Sequence, residues 1–337
     1  SLLFDKREFL SHYPSDEATS RAIAWAEHVS DYIIDMRAQD GAQPSQSAAY
    51  LGRYPRREDV LRWAPTGGFY GTRPGPRVGS FERGLLPGWG HVKPWVVQSA
   101  SQFLPKPFPD VRSPEFKTMY ERVRQLGGTN SIMRTEQQTK IAYFWEAGGR
   151  TITPPGQWQL LALQIIQPYN LPLIEQSRLF AMMSMAQADS AVATWHSKYH
   201  YDIIRPETAI RQRAIQMNEM GVGVTRDASW SSLVPTPPFP AYTSGHSGFS
   251  TSSAKILQLF LGRDDVRFSS TAMDHINWPT QLEGVTLQWN SLMNAAHEAS
   301  ISREYGGIHW ETDHDEGLKL GYDIGQWVYQ HSFARRG

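Results

Sequence analysis

Three short stretches hold the residues whose types and spacing could do chemistry. WHSKYHYDIIRP, residues 195 to 206, contains Lys198 and Arg205. TSGH, residues 243 to 246, sets Ser244 and Gly245 directly before His246. ISREYGGIHWETDHDEG, residues 301 to 317, contains Arg303, His309 and Asp313. The Ser-Gly-His stretch reads as a helix start, where backbone N–H groups are unpaired and the dipole end is positive. Small residues there let an oxyanion approach the backbone. Arginine adds a planar donor fork, and lysine adds a point charge. One lysine, two arginines, a hydroxyl and two imidazoles are what a tetrahedral oxyanion of charge −2 or −3 requires. A buried charge left unpaired costs on the order of several kcal/mol, so the three cations are expected to face one anion.

Each feature has a blander explanation when taken alone. Lys198 and Arg205 stand two helical turns apart and would then be solvated charges on one helix face, although Pro206 biases Arg205 out of the helix. His196 and His200 have the spacing of a zinc pair, but no glutamate follows in the HExxH manner. His297 with Glu298 reads as an ordinary helix-face pair. Asp313 and Asp315 could merely complement a helix dipole. Trp195, Phe239, Trp89 and Trp95 read by default as core aromatics.

Lys198 to Arg205-Pro206, Ser244-Gly245-His246, and Ser302-Arg303 to His309 come in an order and spacing that resemble the vanadium-dependent haloperoxidase and type 2 phosphatidic acid phosphatase superfamily. The three pieces span 195 to 313. FWEAGGRTITPPGQW (144–158) and PGWGHVKPW (87–95) are similar to the haloperoxidase branch. So is the placement of Trp195 three residues before the lysine and Phe239 seven before His246. Three positions depart from the family. Thr243 stands where a proline often precedes Ser-Gly-His. Gly148 stands where fungal-type chloroperoxidases place an aspartate paired with the second arginine. Ser253 stands where algal bromoperoxidases carry a second histidine, which leaves the halide open.

The resemblance implies a vanadate cofactor, with phosphate as a possible substitute. It implies His309 as the axial vanadate ligand, oriented from behind by Asp313. Lys198, Arg205, Arg303, Ser244 and the Gly245 N–H would hold the oxygens, with Lys198 also drawing electron density. His246 would be the acid–base group, and Trp195 and Phe239 would line the halide side. The partners implied are hydrogen peroxide, a halide and a small organic substrate. The same parts would suit a soluble acid phosphatase with His309 as nucleophile and His246 protonating the leaving alcohol. A catalytically idle helical binding protein is the alternative from another class, and it would leave Lys198, Arg205 and Arg303 on an open surface.

Positioning these residues falls to helices. Ser15 precedes Asp16-Glu17 and a stripe of Ala22, Ala26, Val29, Ile33 and Met36. Ser113-Pro114 opens a helix with Phe116, Tyr120, Val123 and Leu126 on one face, ended by Gly127-Gly128. Thr135 with Gln138 forms a capping box. Further helices read over 156–168, 173–200, 246–261, 286–304 and 311–332, with the Ala/Met/Ser-rich 173–200 segment at the centre. Nothing alternates long enough to predict a sheet. Residues 65–95 and 219–243 read as Gly/Pro-rich loops. The expected fold is all-α, a bundle of about ten helices arranged as two four-helix bundles side by side. It forms one domain over 1–337, with halves near 1–150 and 151–337.

Lys and Arg number 33, as do Asp and Glu, and no long basic run appears, so no nucleic-acid partner is expected. With no cysteine, disulfides and thiolate metal sites are excluded. Absent thiols also suit a protein that makes an oxidant, and export to the periplasm or medium. No apolar run approaches the ~18 residues of a membrane span. The protein is expected to be a monomer or a small homo-oligomer.

Overall fold

The computed structural model describes residues 10–42, 59–64, 84–149, 151–272 and 277–333. Eight helices carry the architecture: α1 (Glu17–Arg37), α2 (Pro114–Leu126), α3 (Glu136–Phe144), α4 (Thr153–Ile166), α5 (Leu173–Tyr201), α6 (Gly245–Leu261), α7 (Leu292–Tyr305) and α8 (Glu311–His331). Short helical turns at Pro206–Thr208, Ala209–Arg213 and Ala214–Glu219 follow α5. Local chemistry explains the ends. Ser113 and Thr135 accept the N-cap bonds of α2 and α3, and the Thr135–Gln138 capping box is complete. Gly262, at φ +73°, closes α6.

Helices α5, α6, α7 and α8 pack on one another as a four-helix bundle, with α6 touching the other three. Helix α4 lies against α5 and α6, and α3 against α7. One apolar core joins Trp145, Trp158, Met182, Leu257, Leu292, Ile308 and Ile324. A second gathers Phe116, Tyr120, Ile203, Tyr242 and Trp310. The site motifs lie where these cores meet.

Several expectations need correction. Residues 286–289 are not helical. Phe268–Thr271 pairs antiparallel with Thr286–Trp289, and the helix starts only at Leu292. Four residues per strand are too few to register as alternation, yet the Phe268 and Trp289 rings meet at 5.0 Å across the ladder. Asp16 caps α1 by accepting from Thr19 N at 2.7 Å. The α1 stripe is not buried: Val29 and Met36 are 38% and 48% exposed. Helix α4 begins at Thr153, with prolines in its first turn. Trp95 is on the surface, under the Arg37 guanidinium at 4.3 Å, and Trp89 is half-buried. Residues 65–83 of the first predicted loop lie outside the described residues.

The loop at 84–97 is held to α5 by one carboxylate. Asp189 is buried and accepts N–H bonds from Trp95, Val96 and Val97 at 2.6, 2.9 and 2.9 Å. The same loop offers the Leu85 carbonyl to Trp195 Nε1 and Tyr199 Oη. Replacing Asp189 with alanine strips three backbone donors of their acceptor. Urea unfolding of Asp189→Ala is expected to show a loss of about 3 kcal/mol; an unchanged midpoint would mean the anchor does not matter.

Candidate active site

His309 sits between the two glycines that end α7 and the start of α8. Gly306 caps α7, and Gly307, at φ +78°, turns the chain through a conformation other residues rarely adopt. The imidazole is buried and oriented from both sides. Its Nδ1 is 2.7 Å from Asp313 Oδ2, which also accepts from Trp310 N at 2.9 Å. Arg205 Nη1 donates to His309 Nε2 at 3.0 Å. An arginine can only donate, so Nε2 is the lone-pair nitrogen and Nδ1 carries the hydrogen.

Arg205 is fully buried. Its Nη1 also reaches the Ile308 carbonyl at 2.7 Å, and its Nε reaches the Phe239 carbonyl at 2.9 Å. Its proximity to His309 does not come from helix periodicity. Helix α5 stops at Tyr201 with Asp202 in a left-handed cap, and Arg205 is extended just before Pro206. Lys198 remains on α5 and is also fully buried. Its ammonium donates to the carbonyls of Pro240, Ala241 and Thr243 at 3.1, 2.9 and 2.5 Å. All three hydrogens are thereby directed to main chain, so Lys198 presents charge and holds the loop before Ser244. Arg303, from the last turn of α7, donates to the Trp145 carbonyl at 3.1 Å.

Ser244 is the N-cap of α6. Its Oγ accepts from Ser247 N at 3.3 Å, and its own N–H donates to the Asp313 carbonyl at 2.9 Å. That bond ties the cap of α6 to the first turn of α8. Gly245 and His246 follow in the first turn. His246 Nε2 lies 3.1 Å from the Glu146 carbonyl and therefore carries a hydrogen, leaving Nδ1 to accept a proton.

The electrostatics follow from burial. Arg205 is pushed down to about 9 and Arg303 to about 10, and both stay charged at neutral pH. Lys198 is lowered by burial and by Arg205. Asp313 is raised to about 6, also by burial. His309 and His246 are both held well below the ordinary imidazole value by burial and then by a neighbouring arginine, Arg205 for His309 and Arg303 for His246. Three cations face two carboxylates, Asp313 and Glu146, and both imidazoles are neutral. Arg205 Nη2 and Arg303 Nε are buried without a hydrogen-bond partner. An open surface, as an idle binding protein would offer, is not what the chain builds here.

The VCPO second helical-bundle domain model matches residues 178–336. Vanadium chloroperoxidase of Curvularia inaequalis is 23% identical over 290 residues, covering 71% of this chain and 47% of that protein. A bacterial vanadium-dependent iodoperoxidase structure superposes with a TM-score of 0.73 at 29% identity, over 91% of this chain and 68% of that one. In sequence and fold this chain is similar to vanadium-dependent haloperoxidases. An apo-type bacterial vanadium-dependent chloroperoxidase, at 17% identity and a TM-score of 0.68 over 88% of this chain and 71% of that one, shares the fold. The chain spans about half the length of the curated relative it matches.

Trp195 and Phe239 meet at 5.0 Å with their rings tilted by 50°, beside the cations. The Phe239 ring lies 5.1 Å from Lys198 Nζ and 5.0 Å from Arg205 Cζ, within cation–π range. One carboxylate was missed in the sequence. Asp313 serves His309, and the acid that acts on Arg303 is Glu146, two residues before Gly148. A Cβ on Gly148 would fall 2.1 Å from the Glu146 carboxylate, and Gly148 N donates to it at 2.9 Å. The acid in FWEAGG was visible; its register against the family pattern was not. Glu298 turns inward, where its Oε1 accepts from the indoles of Trp145 and Trp289 at 3.0 and 2.9 Å. His196 and His200 stack at 5.8 Å, and no metal-holding group of three ligands exists among the described residues. Asp315 is exposed.

A depressed imidazole value means that unfolding takes up a proton below about pH 6.5. The His246 contribution to stability is therefore present above that pH and lost as pH falls. Urea titrations between pH 7 and pH 5 are expected to show a shallower loss of stability in His246→Gln than in the unaltered protein. Identical slopes would contradict a neutral, buried His246.

Proposed function

We propose that this chain is a vanadate-dependent haloperoxidase, in which hydrogen peroxide, a halide and one proton give hypohalous acid and water. The observation that carries this reading is the pair of unpartnered buried guanidinium nitrogens, Arg205 Nη2 and Arg303 Nε, in the pocket of His309. Buried polar groups are almost always satisfied, so these donors fit an oxyanion between them. The net positive charge and the Nε2 lone pair, which faces the Arg205 guanidinium, fit one that also takes a nitrogen ligand. His309 Nε2 would bind the vanadium, and Arg205, Arg303, Ser244 and the Gly245 N–H would bind its oxygens. Bound vanadate supplies a Lewis acid that activates peroxide without changing oxidation state.

The chain's own residues do the rest. Asp313 holds the His309 tautomer that presents Nε2 outward. Lys198 brings an ammonium charge to the buried cluster, where it would draw electron density from an oxidant held beside it. His246 takes a proton from hydrogen peroxide at Nδ1, because its Nε2–H is engaged with the Glu146 carbonyl. Trp195 and Phe239 line the side for the halide and exclude water. Iodide, the most easily oxidised of the three common halides, is the expected substrate.

A phosphatase reading is favoured by one feature, the fixed Nε2 lone pair, which is equally that of a histidine nucleophile. The assays separate the two. Orthovanadate-loaded protein with hydrogen peroxide is expected to oxidise iodide, and His309→Ala to abolish this. No oxidation of iodide, bromide or chloride, with phosphate-ester hydrolysis that vanadate inhibits, would overturn the first reading in favour of the second. His246→Ala is expected to lower kcat by about a hundredfold or more, with vanadate affinity changed far less. An equal fall in both would make His246 a binding residue only.

A further inference from the structure

Helix α8 carries Gly317, Gly321 and Gly325 along the face that meets α6. A Cβ on Gly317 would fall 2.8 Å from Ser247 Cβ and 2.9 Å from the Ser244 carbonyl oxygen. At Gly321 it would meet the Gly248 backbone at 2.5 Å, and at Gly325 the Ser252 carbonyl and Lys255 Cβ, each at 2.9 Å. These contacts are shorter than real side chains make, and most involve backbone that has no rotamer to yield. The three positions differ in what lies beside them. Gly317 touches the residue that caps α6 and is one turn beyond Asp313. Gly325 is eight residues further, about 12 Å along the axis.

Nor can the α6 cap move away freely. Ser247 Oγ is bonded to Ser300 Oγ of α7 at 2.6 Å, and a Cβ on Gly248 would lie 3.0 Å from Thr194 Oγ1 of α5. The cap is thus held between three helices. A further tie runs from Ser244 N to the Asp313 carbonyl at 2.9 Å and links Gly245 and His246 to the helix turn that follows His309.

We infer that Gly317 is a positioning residue of the anion site: its missing side chain lets the Ser244–His246 cap sit against the helix that carries Asp313. The inference rests on the oxyanion reading of the pocket, to which the unpartnered Arg205 Nη2 and Arg303 Nε point independently. A methyl at 317 separates α6 from α8 at the site end. The donors on the cap then no longer converge with Arg205 and His309 on one oxyanion.

The test uses the full chain, calorimetric titration with inorganic phosphate and with orthovanadate, and melting temperatures. Gly317→Ala is expected to lose at least tenfold in affinity for both anions. Gly325→Ala introduces a similar clash at the far end; its melting temperature is expected to fall comparably while its anion affinity stays within twofold. Gly317→Ala with Ser247→Gly, which removes the atom nearest the new methyl, is expected to bind between Gly317→Ala and the unaltered protein. If Gly317→Ala does not fold, that double variant set against Gly325→Ala carries the same comparison. Affinity within twofold for the 317 variant, or an equal loss at 325, overturns the positioning role. Failure of the unaltered protein to bind either anion removes the oxyanion reading itself, a distinct result that takes the positioning role with it.

Discussion

Arg205 donates to His309 Nε2 in the same pocket that holds Lys198 and Arg303, and the surrounding chain is arranged around that concentration of buried positive charge. Two carboxylates offset part of it. The rest falls on main-chain carbonyls from Trp145, Phe239, Pro240, Ala241, Thr243 and Ile308, all of which point inward. A carbonyl inside a helix is already taken by its own ladder. The segments flanking the motifs therefore have to be irregular. The proline-rich run before Ser244 and the double glycine before His309 meet that need, because both deny helix where free carbonyls are required.

The helices that deliver the motifs approach closely because their facing residues are small or polar with local partners. Helix α6 buries a row of hydroxyls, and several have partners on neighbouring helices: Ser247 with Ser300, Ser250 with Trp158 Nε1, and Ser253 with Gln187. Such pairs fix one register between helices, since sliding would leave buried donors unsatisfied. An all-apolar interface of similar volume would tolerate slippage more easily. The rigidity needed to converge a site from separate stretches of chain is thus built into the bundle.

The legible parts of the fold were those governed by local chemistry. The Thr135–Gln138 box, the Ser113-Pro114 start and the glycine stop after Leu126 act within a turn, so they read directly from neighbouring residues. What escaped depended on partners distant in sequence. The short ladder of Phe268–Thr271 with Thr286–Trp289 exists because two rings and an apolar core lie beneath it. The α1 stripe has helical spacing, but spacing cannot say that another surface is there to cover it. Glu298 looked like one half of a surface pair and instead receives two indoles, one of them from a residue 153 positions away.

By itself the sequence determined the helical class, the identity of three cations and two imidazoles, and their resemblance to one superfamily, because residue type and short-range spacing carry that information. Only the tertiary structure decided which carboxylate serves which cation, which imidazole nitrogen carries the lone pair, and that Lys198 spends its hydrogens on a loop. Those outcomes depend on directions and distances between groups up to 158 residues apart. Burial then sets their charge states, and no local pattern encodes how deeply a group will lie.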